Sequence, residues 1–447
     1  MAIMKKYDAF CIGTGIAGSL IAQDLKKEGY SIGIVDQRPY GGTCALYGCN
    51  PKKVLAGASE AFERATSYFH KGMEGELSIN WHELHYYMLR FTETIPSERE
   101  IKYKDLGIDM YHGIAQFAGE HELQINKQKI YAEKIIIASG SRPRTLTFPG
   151  AEYLITSDEF FGLKKLPEHI IFIGGGYISF ESAHIMARAG AKVTILENSA
   201  KPLRNFDQDL VRLMLKRSKE IGIELRCDTE TRKIKKEDNY YLVETNHGKF
   251  KANVVVNGAG RVPYIDNLYL EKGNVEYDGF EIKINEYLQS VSNHAVYIAG
   301  DVNVKSMALT PVGDLEHKIV VQNILNGNYA KPDYKGIPSV AFTLPLLAAC
   351  GLNEREAEEQ GYDVIINYSD TSDSYTTKRL ALHYSGYKII IDKKTDHILG
   401  AHLCGHHVDE VINIFALAIR NNLTVIDLRE MVWAFPTVSS TIEDMIG

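Results

Sequence analysis

Two hydrophobic periods alternate along the first 36 residues. "YDAFCI" (7–12) is a short apolar run of strand length, and "IAGSLIAQDLKK" (16–27) carries its apolar residues at helical spacing. "SIGIVD" (31–36) returns to strand. The same succession recurs in "HIIFIGGGYISFESAHIMARAGAKVTILE" (169–197). Three further apolar runs, "IIIASGSRPR" (135–144), "VVVNGAGRVPY" (254–264) and "AVYIAGDVN" (295–303), read as strands entering small-residue turns. "MALTPVGDLEHKIVVQNIL" (307–325) predicts a helix starting near Pro311. Strand and helix alternating in this way predict an α/β fold with two Rossmann-like dinucleotide-binding domains. From about residue 336 the pattern changes. "YKIIIDKKTDHILGAHLCG" (387–405) reads as a hairpin and "HVDEVINIFALAIRNNL" (407–423) as an amphipathic helix, which predicts a third, α+β domain. "HKGMEGELSINWHELHYYMLRF" (70–91) reads as a Tyr-rich helical excursion, with ordinary packing its simplest role.

The turns between these elements carry the first chemistry. Gly13, Gly15 and Gly18 fit G-x-G-x-x-G: the first allows the tight turn, the second lets backbone approach a pyrophosphate, and the third lets helix and strand pack closely. Phosphates are drawn to the helix N-terminus, and Asp36, ending the second strand, is placed for a ribose hydroxyl. Gly174 and Gly176 repeat the pattern at the second site, with Ser179 in the third position and Glu197 as the terminal acid. Serine there is tolerated if the helix stands slightly further off its strand. Two such units imply two dinucleotides, one able to reduce the other. Asp301 ends a strand where ligands bind in open α/β sheets.

Composition narrows the context. A chain of 447 residues with 45% apolar content holds two to four domains. The net charge of −7, with no basic block, does not suggest nucleic acid or anionic membrane, and no apolar run approaches the ~20 residues of a membrane span. The N-terminus enters a strand directly instead of showing a signal-peptide pattern, so a cytoplasmic location is expected. Six cysteines are too few for a disulfide scaffold, and "CGHH" (404–407) has no second half to make a zinc site. Cys11, Cys227, Cys350 and Cys404 stand singly and are read as packed hydrophobes. Cys44 and Cys49, five apart in "GGTCALYGCNPKK" (41–53), leave redox chemistry as the reading.

With "GTGIAG", "GGTCALYGCNPKK", "GGGYISFE", "AGDV", "ALTPV" and "FPT" in this order, the chain resembles the flavoprotein disulfide reductases of the glutathione reductase, dihydrolipoamide dehydrogenase and mercuric reductase kind, over essentially its whole length. The resemblance implies an FAD-binding domain in two parts (1–145 and 266–335), an NAD(P)-binding domain (146–265) and an interface domain (336–447) that makes a homodimer. It implies FAD contacts from the first glycine motif, Asp36, Gly42, Thr43, Gly140, Asp301, Leu309 and Thr310, and NAD(P)H contacts from Gly174, Gly176, Glu197 and Gly260. It gives Cys49 as the thiolate against the flavin and Cys44 as the sulfur that attacks substrate, the two forming a redox disulfide. Lys52 or Lys53 would stand beside flavin N5, Glu181 would pair with that lysine, and Tyr177 would cover the nicotinamide pocket. Helical Cα atoms five residues apart lie roughly 8 Å or more from one another, whereas a disulfide needs them within about 7 Å. The segment is therefore expected to distort between the cysteines, with Gly48 as the permitting residue. Helical N–H groups and nearby lysines are expected to lower a thiol pKa there.

One departure from the family pattern bears on substrate. The family's C-terminal His-Pro-Thr-x-x-Glu supplies a general acid to the partner's dithiol, but this chain reads "WAFPTVSSTIEDMIG" (433–447), with Phe435 at the histidine and Ser440 at the glutamate. Glu443, one turn on, reads as a solvated helix residue. Losing a general acid costs about 10²–10⁴-fold when the leaving group needs a proton. Either the substrate is an activated electrophile (a persulfide, a mixed disulfide with an acidic thiol, hypothiocyanite, a soft metal ion), or a tyrosine of 86–87 or a histidine supplies the proton. Mercuric reductases usually carry a second, C-terminal cysteine pair, absent here. Glu197 favours NADH over NADPH, a preference that Lys201 and Arg204 could soften. A diaphorase or oxidase working from the flavin directly, and a catalytically reduced redox sensor, stay open as alternatives.

Overall fold

Parallel strand order accounts for the first unit, which comprises the chain up to Lys52, Tyr86–Arg144 and Arg261–Tyr334. The computed structural model describes residues 4–447. In this unit Asp109–His112, Ile32–Asp36, Lys5–Ile12 and Gln128–Ile137 lie side by side, all parallel, and Val296–Ile298 adds in parallel to Gln128–Ile137. Glu122–Ile125 and Ala115–Phe117 extend the sheet antiparallel. The apolar run 7–12 is thus a central strand buried on both faces, with Ala9, Phe10 and Cys11 fully excluded from solvent. Helix Ile16–Lys27 follows the first glycine turn and buries Ile21, Ala22 and Leu25. The predicted helix near Pro311 spans Thr310–Asn326, with the proline in its first turn.

The second unit holds Lys53–His85, Thr145–Gly260 and Lys335–Gly447. Its four-stranded parallel sheet runs Ile223–Arg226, Lys192–Leu196, His169–Ile173, Val254–Asn257, and helix Tyr177–Ala189 starts at the second glycine turn. The antiparallel ribbon Thr231–Lys236, Tyr241–Thr245, Gly248–Ala252 forms a separate sheet. A five-stranded antiparallel sheet follows, in which the predicted hairpin pairs Gly386–Asp392 with Ile398–Gly405. Helix Val408–Arg420 covers it, burying Val411, Ile412, Phe415 and Ile419 in one core with Ile389 and Leu403.

The 70–91 segment is helical only over Trp81–Leu89; before residue 81 the chain is turns and irregular backbone. The two glycines of "KGMEG", Gly72 and Gly75, explain the loss, since glycine costs about 1 kcal/mol per position in a helix. Packing is the role of the helix's first half: the Trp81 indole donates to the Leu163 carbonyl at 2.8 Å and a His85 ring nitrogen meets the Phe161 carbonyl at 2.9 Å. Tyr86 and Tyr87 are exposed. Cys11, Cys350 and Cys404 are buried, and Cys227 is half-buried. No helix among the described residues is long and apolar enough to cross a membrane.

Candidate active site

In the first unit the dithiol lies on a broken helix. Gly42–Tyr47 ends at Gly48, whose φ of −141° and ψ of −111° leave helical space, and a new helix starts at Cys49 and runs to Ser67. The expected distortion is therefore present, at the expected residue. The reason is steric as well as conformational: a Cβ on Gly48 would stand 2.9 Å from the Thr43 carbonyl oxygen and 3.1 Å from the Cys44 Cα. The fold back across residue 48 brings the sulfurs together. Cys44 is partly buried and Cys49 exposed.

A third side chain joins them. The Thr310 hydroxyl donates to Cys44 Sγ at 3.0 Å and lies 3.8 Å from Cys49 Sγ. The Cys44 thiol is pushed up, first by its hydrogen bond with Cys49, then by burial and by charge on Cys49. The Thr310 hydroxyl and the Cys49 backbone N–H pull it the other way. For Cys44 the neighbouring sulfur outweighs the helical N–H groups, so a lowered thiol pKa in this pair is not found at Cys44.

Around the dithiol, the residues expected to hold FAD converge in the same unit. Gly42 packs on the first glycine turn so closely that a Cβ there would meet the Gly15 Cα at 2.4 Å. Gly15 itself faces open space and begins helix Ile16–Lys27 without a side-chain cap, which leaves its N–H groups for a pyrophosphate. Thr14 donates its N–H and its hydroxyl to Asp36 Oδ2, at 2.9 and 2.7 Å, and the Arg38 N–H reaches Oδ1 at 3.0 Å. Gly140 also faces open space, at φ +70°. Burial pushes the Asp301 carboxyl up, against Ser141 and Arg261; the Ser141 hydroxyl donates to it at 3.2 Å. A buried carboxylate with spare acceptor capacity suits the hydroxyls of a ribityl chain, so these residues fit FAD.

Sequence reading missed what holds Asp301. The fully buried Glu316 accepts from the Gly300 N–H at 2.6 Å, from Asn303 Nδ2 at 2.7 Å and from the Tyr334 hydroxyl at 2.7 Å, fixing the turn. Glu316 and Asp314 look alike in "TPVGDLEHK", yet Asp314 is a surface partner of Lys318. Only the helix's rotation against the sheet separates them.

The second unit gathers Lys53, Gly174, Gly176, Tyr177, Glu181, Glu197 and Gly260. Glu197 accepts from the Gly175 N–H at 2.5 Å and from the Ser199 N–H at 2.8 Å, and Arg204 approaches it at 3.5 Å from the surface. Gly176 begins its helix without a side-chain cap, so these residues fit a second dinucleotide. Tyr177 opens the helix and is 43% exposed. Glu181 is buried and accepts the Phe342 N–H at 2.7 Å, and Lys53 rests 3.6 Å above the Phe342 ring.

Ser179 is accommodated by its neighbour. In the first unit the close approach is Gly18 against the Gly13 carbonyl and Ala138; in the second, Ser179 faces Gly258, where an added Cβ would fall 2.0 Å from the serine hydroxyl. The missing side chain has moved from the helix to the strand end, so no looser packing is needed. Gly258→Ala is expected to destabilise this unit by about 1–3 kcal/mol, and adding Ser179→Gly to recover most of it, read as melting temperatures of the single and double variants.

Residues 7–315 match the pyridine nucleotide-disulphide oxidoreductase family and residues 337–446 match its dimerisation domain. The chain belongs to this family. Members are FAD-dependent oxidoreductases that use pyridine nucleotides. The chain is 30% identical to glutathione reductase of Nostoc sp., over 96% of this chain and 97% of that one. It is 29% identical to mercuric reductase of Staphylococcus aureus, over 98% and 81%. Among solved structures it resembles the Cu(II) complex of the HOCl-induced flavoprotein disulfide reductase RclA from Escherichia coli, with a TM-score of 0.89 at 25% identity and 99% of both chains covered. The sequence-level resemblance is thereby borne out at the level of family, fold class and oxidoreductase activity.

Proposed function

We propose that this oxidoreductase is a homodimeric NAD(P)H-dependent reductase that passes electrons through Cys44 and Cys49 to an electrophile whose departure needs no proton. One observation carries the reading: the broken helix at Gly48 brings two cysteines together beside Thr310, in the unit whose glycine turn and Asp36 fit FAD. Bound FAD would take two electrons from NAD(P)H and hand them to the disulfide. The chain's own residues do the rest. Asp36, Asp301 and the helix N-terminus hold the cofactor; Cys49, the more exposed sulfur, faces it, and Cys44 takes the substrate. Lys52 or Lys53 stands beside flavin N5, and Lys52 is the more buried of the two.

Phe435 is 83% exposed, and Met431 and Val432 near it are exposed too. A segment of this kind is suited to reach a partner subunit, yet phenylalanine carries no proton. The substrate class that follows is soft metal ions or sulfur electrophiles with acidic leaving groups. Cu(II), present in the RclA complex, is a borderline ion that a thiolate pair can also bind. Glu197, held by two backbone N–H groups, supports NADH as the favoured donor. The division into FAD-type segments 1–145 and 266–335, an NAD(P) segment 146–265 and an interface segment 336–447 belongs to the same proposal.

The test is an anaerobic titration with NADH, and separately NADPH. The expected result is a long-wavelength thiolate-to-flavin band after two electrons, absent in Cys49→Ser. Bleaching of the flavin with no such band would favour the diaphorase alternative.

A further inference from the structure

Breaking a disulfide leaves charge on sulfur, and in this chain the usual imidazole position is Phe435. What, then, reaches Cys44? The hydrogen bonds its sulfur accepts come from the Thr310 hydroxyl at 3.0 Å and from the Cys49 backbone N–H, while its own thiol donates to Cys49. Thr310 is built for the task. A threonine inside a helix commonly returns its hydroxyl to a carbonyl of the preceding turn. Thr310 is the first residue of its helix, so there is no preceding turn to bond. Its helix takes no side-chain cap from Leu309. The hydroxyl is instead directed at the sulfurs, 3.0 Å from one and 3.8 Å from the other.

We propose that Thr310 is a catalytic residue of the dithiol, its hydroxyl donating to the Cys44 thiolate as the disulfide opens. The proposal rests on the dithiol reading above. An alcohol is too weak an acid to give its proton away, so Thr310 holds the thiolate charge without quenching it. It takes over the electrostatic part of the imidazole's role and none of the proton transfer.

The steps balance. An electron pair enters the Cys44–Cys49 bond, which breaks and leaves charge on both sulfurs; Thr310 donates to Cys44. The Cys44 thiolate attacks an electrophile X–Y, forming Cys44–S–X and releasing Y as an anion. The Cys49 thiolate then attacks the Cys44 sulfur, the disulfide re-forms and X leaves as an anion. In sum NAD(P)H and X–Y give NAD(P)+, two anions and one proton, which goes to solvent, so no side chain has to give up a proton to a leaving group. A substrate releasing basic thiolates gains nothing from Thr310, which ties this residue to the sulfur electrophiles with acidic leaving groups proposed above.

The experiment follows iodoacetamide alkylation of Cys44 against pH in the dithiothreitol-reduced holoenzyme, read by mass spectrometry of the Cys44 peptide. Wild type, Thr310→Ser, Thr310→Ala and Thr310→Val are compared. Removing a donor to the thiolate favours the protonated form, so the alkylation midpoint is expected to rise by about one pH unit in Thr310→Ala and Thr310→Val, a tenfold loss of thiolate below it. Thr310→Ser is expected to keep the wild-type profile. A profile in Thr310→Ala that overlays wild type would overturn the proposal, as would a shift in Thr310→Ser equal to that in Thr310→Ala. The serine–alanine pair differs by the hydroxyl alone and stands even if the bulkier valine fails to fold. Alkylation needs no substrate, so its outcome is separate from the functional reading, which fails on its own if the dithiol is not in the electron path.

Discussion

Cys44→Ser is expected to lower NADH-dependent reduction of a disulfide or soft electrophile by more than about 10³-fold, because it removes the sulfur proposed to carry the substrate covalently. Flavin bleaching by NADH is expected to persist, since the residues fitted to hold the two dinucleotides are untouched. The pairing of results matters more than either alone. Steady-state turnover with the electrophile and stopped-flow bleaching of the flavin separate them. Full turnover in Cys44→Ser would show that electrons leave from the flavin directly.

The second large effect concerns stability. Glu63 sits between two guanidinium groups: Arg188 Nε donates to Oε2 at 3.0 Å and Arg217 Nε to Oε1 at 2.8 Å. The Arg188 side chain is 1% exposed and that of Glu63 is 9%. Arg188 also reaches the His184 and Leu344 carbonyls. His184 is held neutral by burial and then by the two arginines. Its Nδ1 accepts the Leu344 N–H, which leaves Nε2 to donate to Ser218. The network ties helices Cys49–Ser67, Tyr177–Ala189 and Gln208–Glu220 to the strand entry at Leu344. Glu63→Ala leaves the buried Arg188 without its carboxylate and facing the half-buried Arg217, which keeps Glu220, so a loss of about 3–5 kcal/mol is expected by urea unfolding. The effect has a pH signature. Burial disfavours the Glu63 carboxylate, but Arg188 and Arg217 outweigh that and hold it below its ordinary value of 4.5. A depressed acid contributes stability above pH 4.5 and loses it as pH falls through the folded value. Wild type should therefore weaken below about pH 4.5, and Glu63→Ala should lack that component.

How much of this was legible beforehand differs between elements. Both glycine turns, their terminal acids Asp36 and Glu197, and the break at Gly48 follow from local rules: a strand-to-helix turn needs particular residues at fixed offsets, and two cysteines five apart cannot meet on a regular helix. Phe435 and Ser440 were visible in the same way, as the wrong chemistry in a recognisable place. The helical reading of 70–80 fails because the glycines of "KGMEG" oppose a helix there.

The α/β alternation, the cysteine pair and the family are legible in the chain, because these are written in residues close together. Tertiary structure decided the rest. Thr310 lies 266 residues from Cys44, Gly258 lies 79 from Ser179, and Glu63 lies 125 and 154 from its two arginines. No period or spacing links such pairs. Whether a hydroxyl meets a sulfur, a missing Cβ admits a serine, or a carboxylate is buried between guanidinium groups depends on how sheets and helices pack, which is set by the burial of apolar surface across the whole domain.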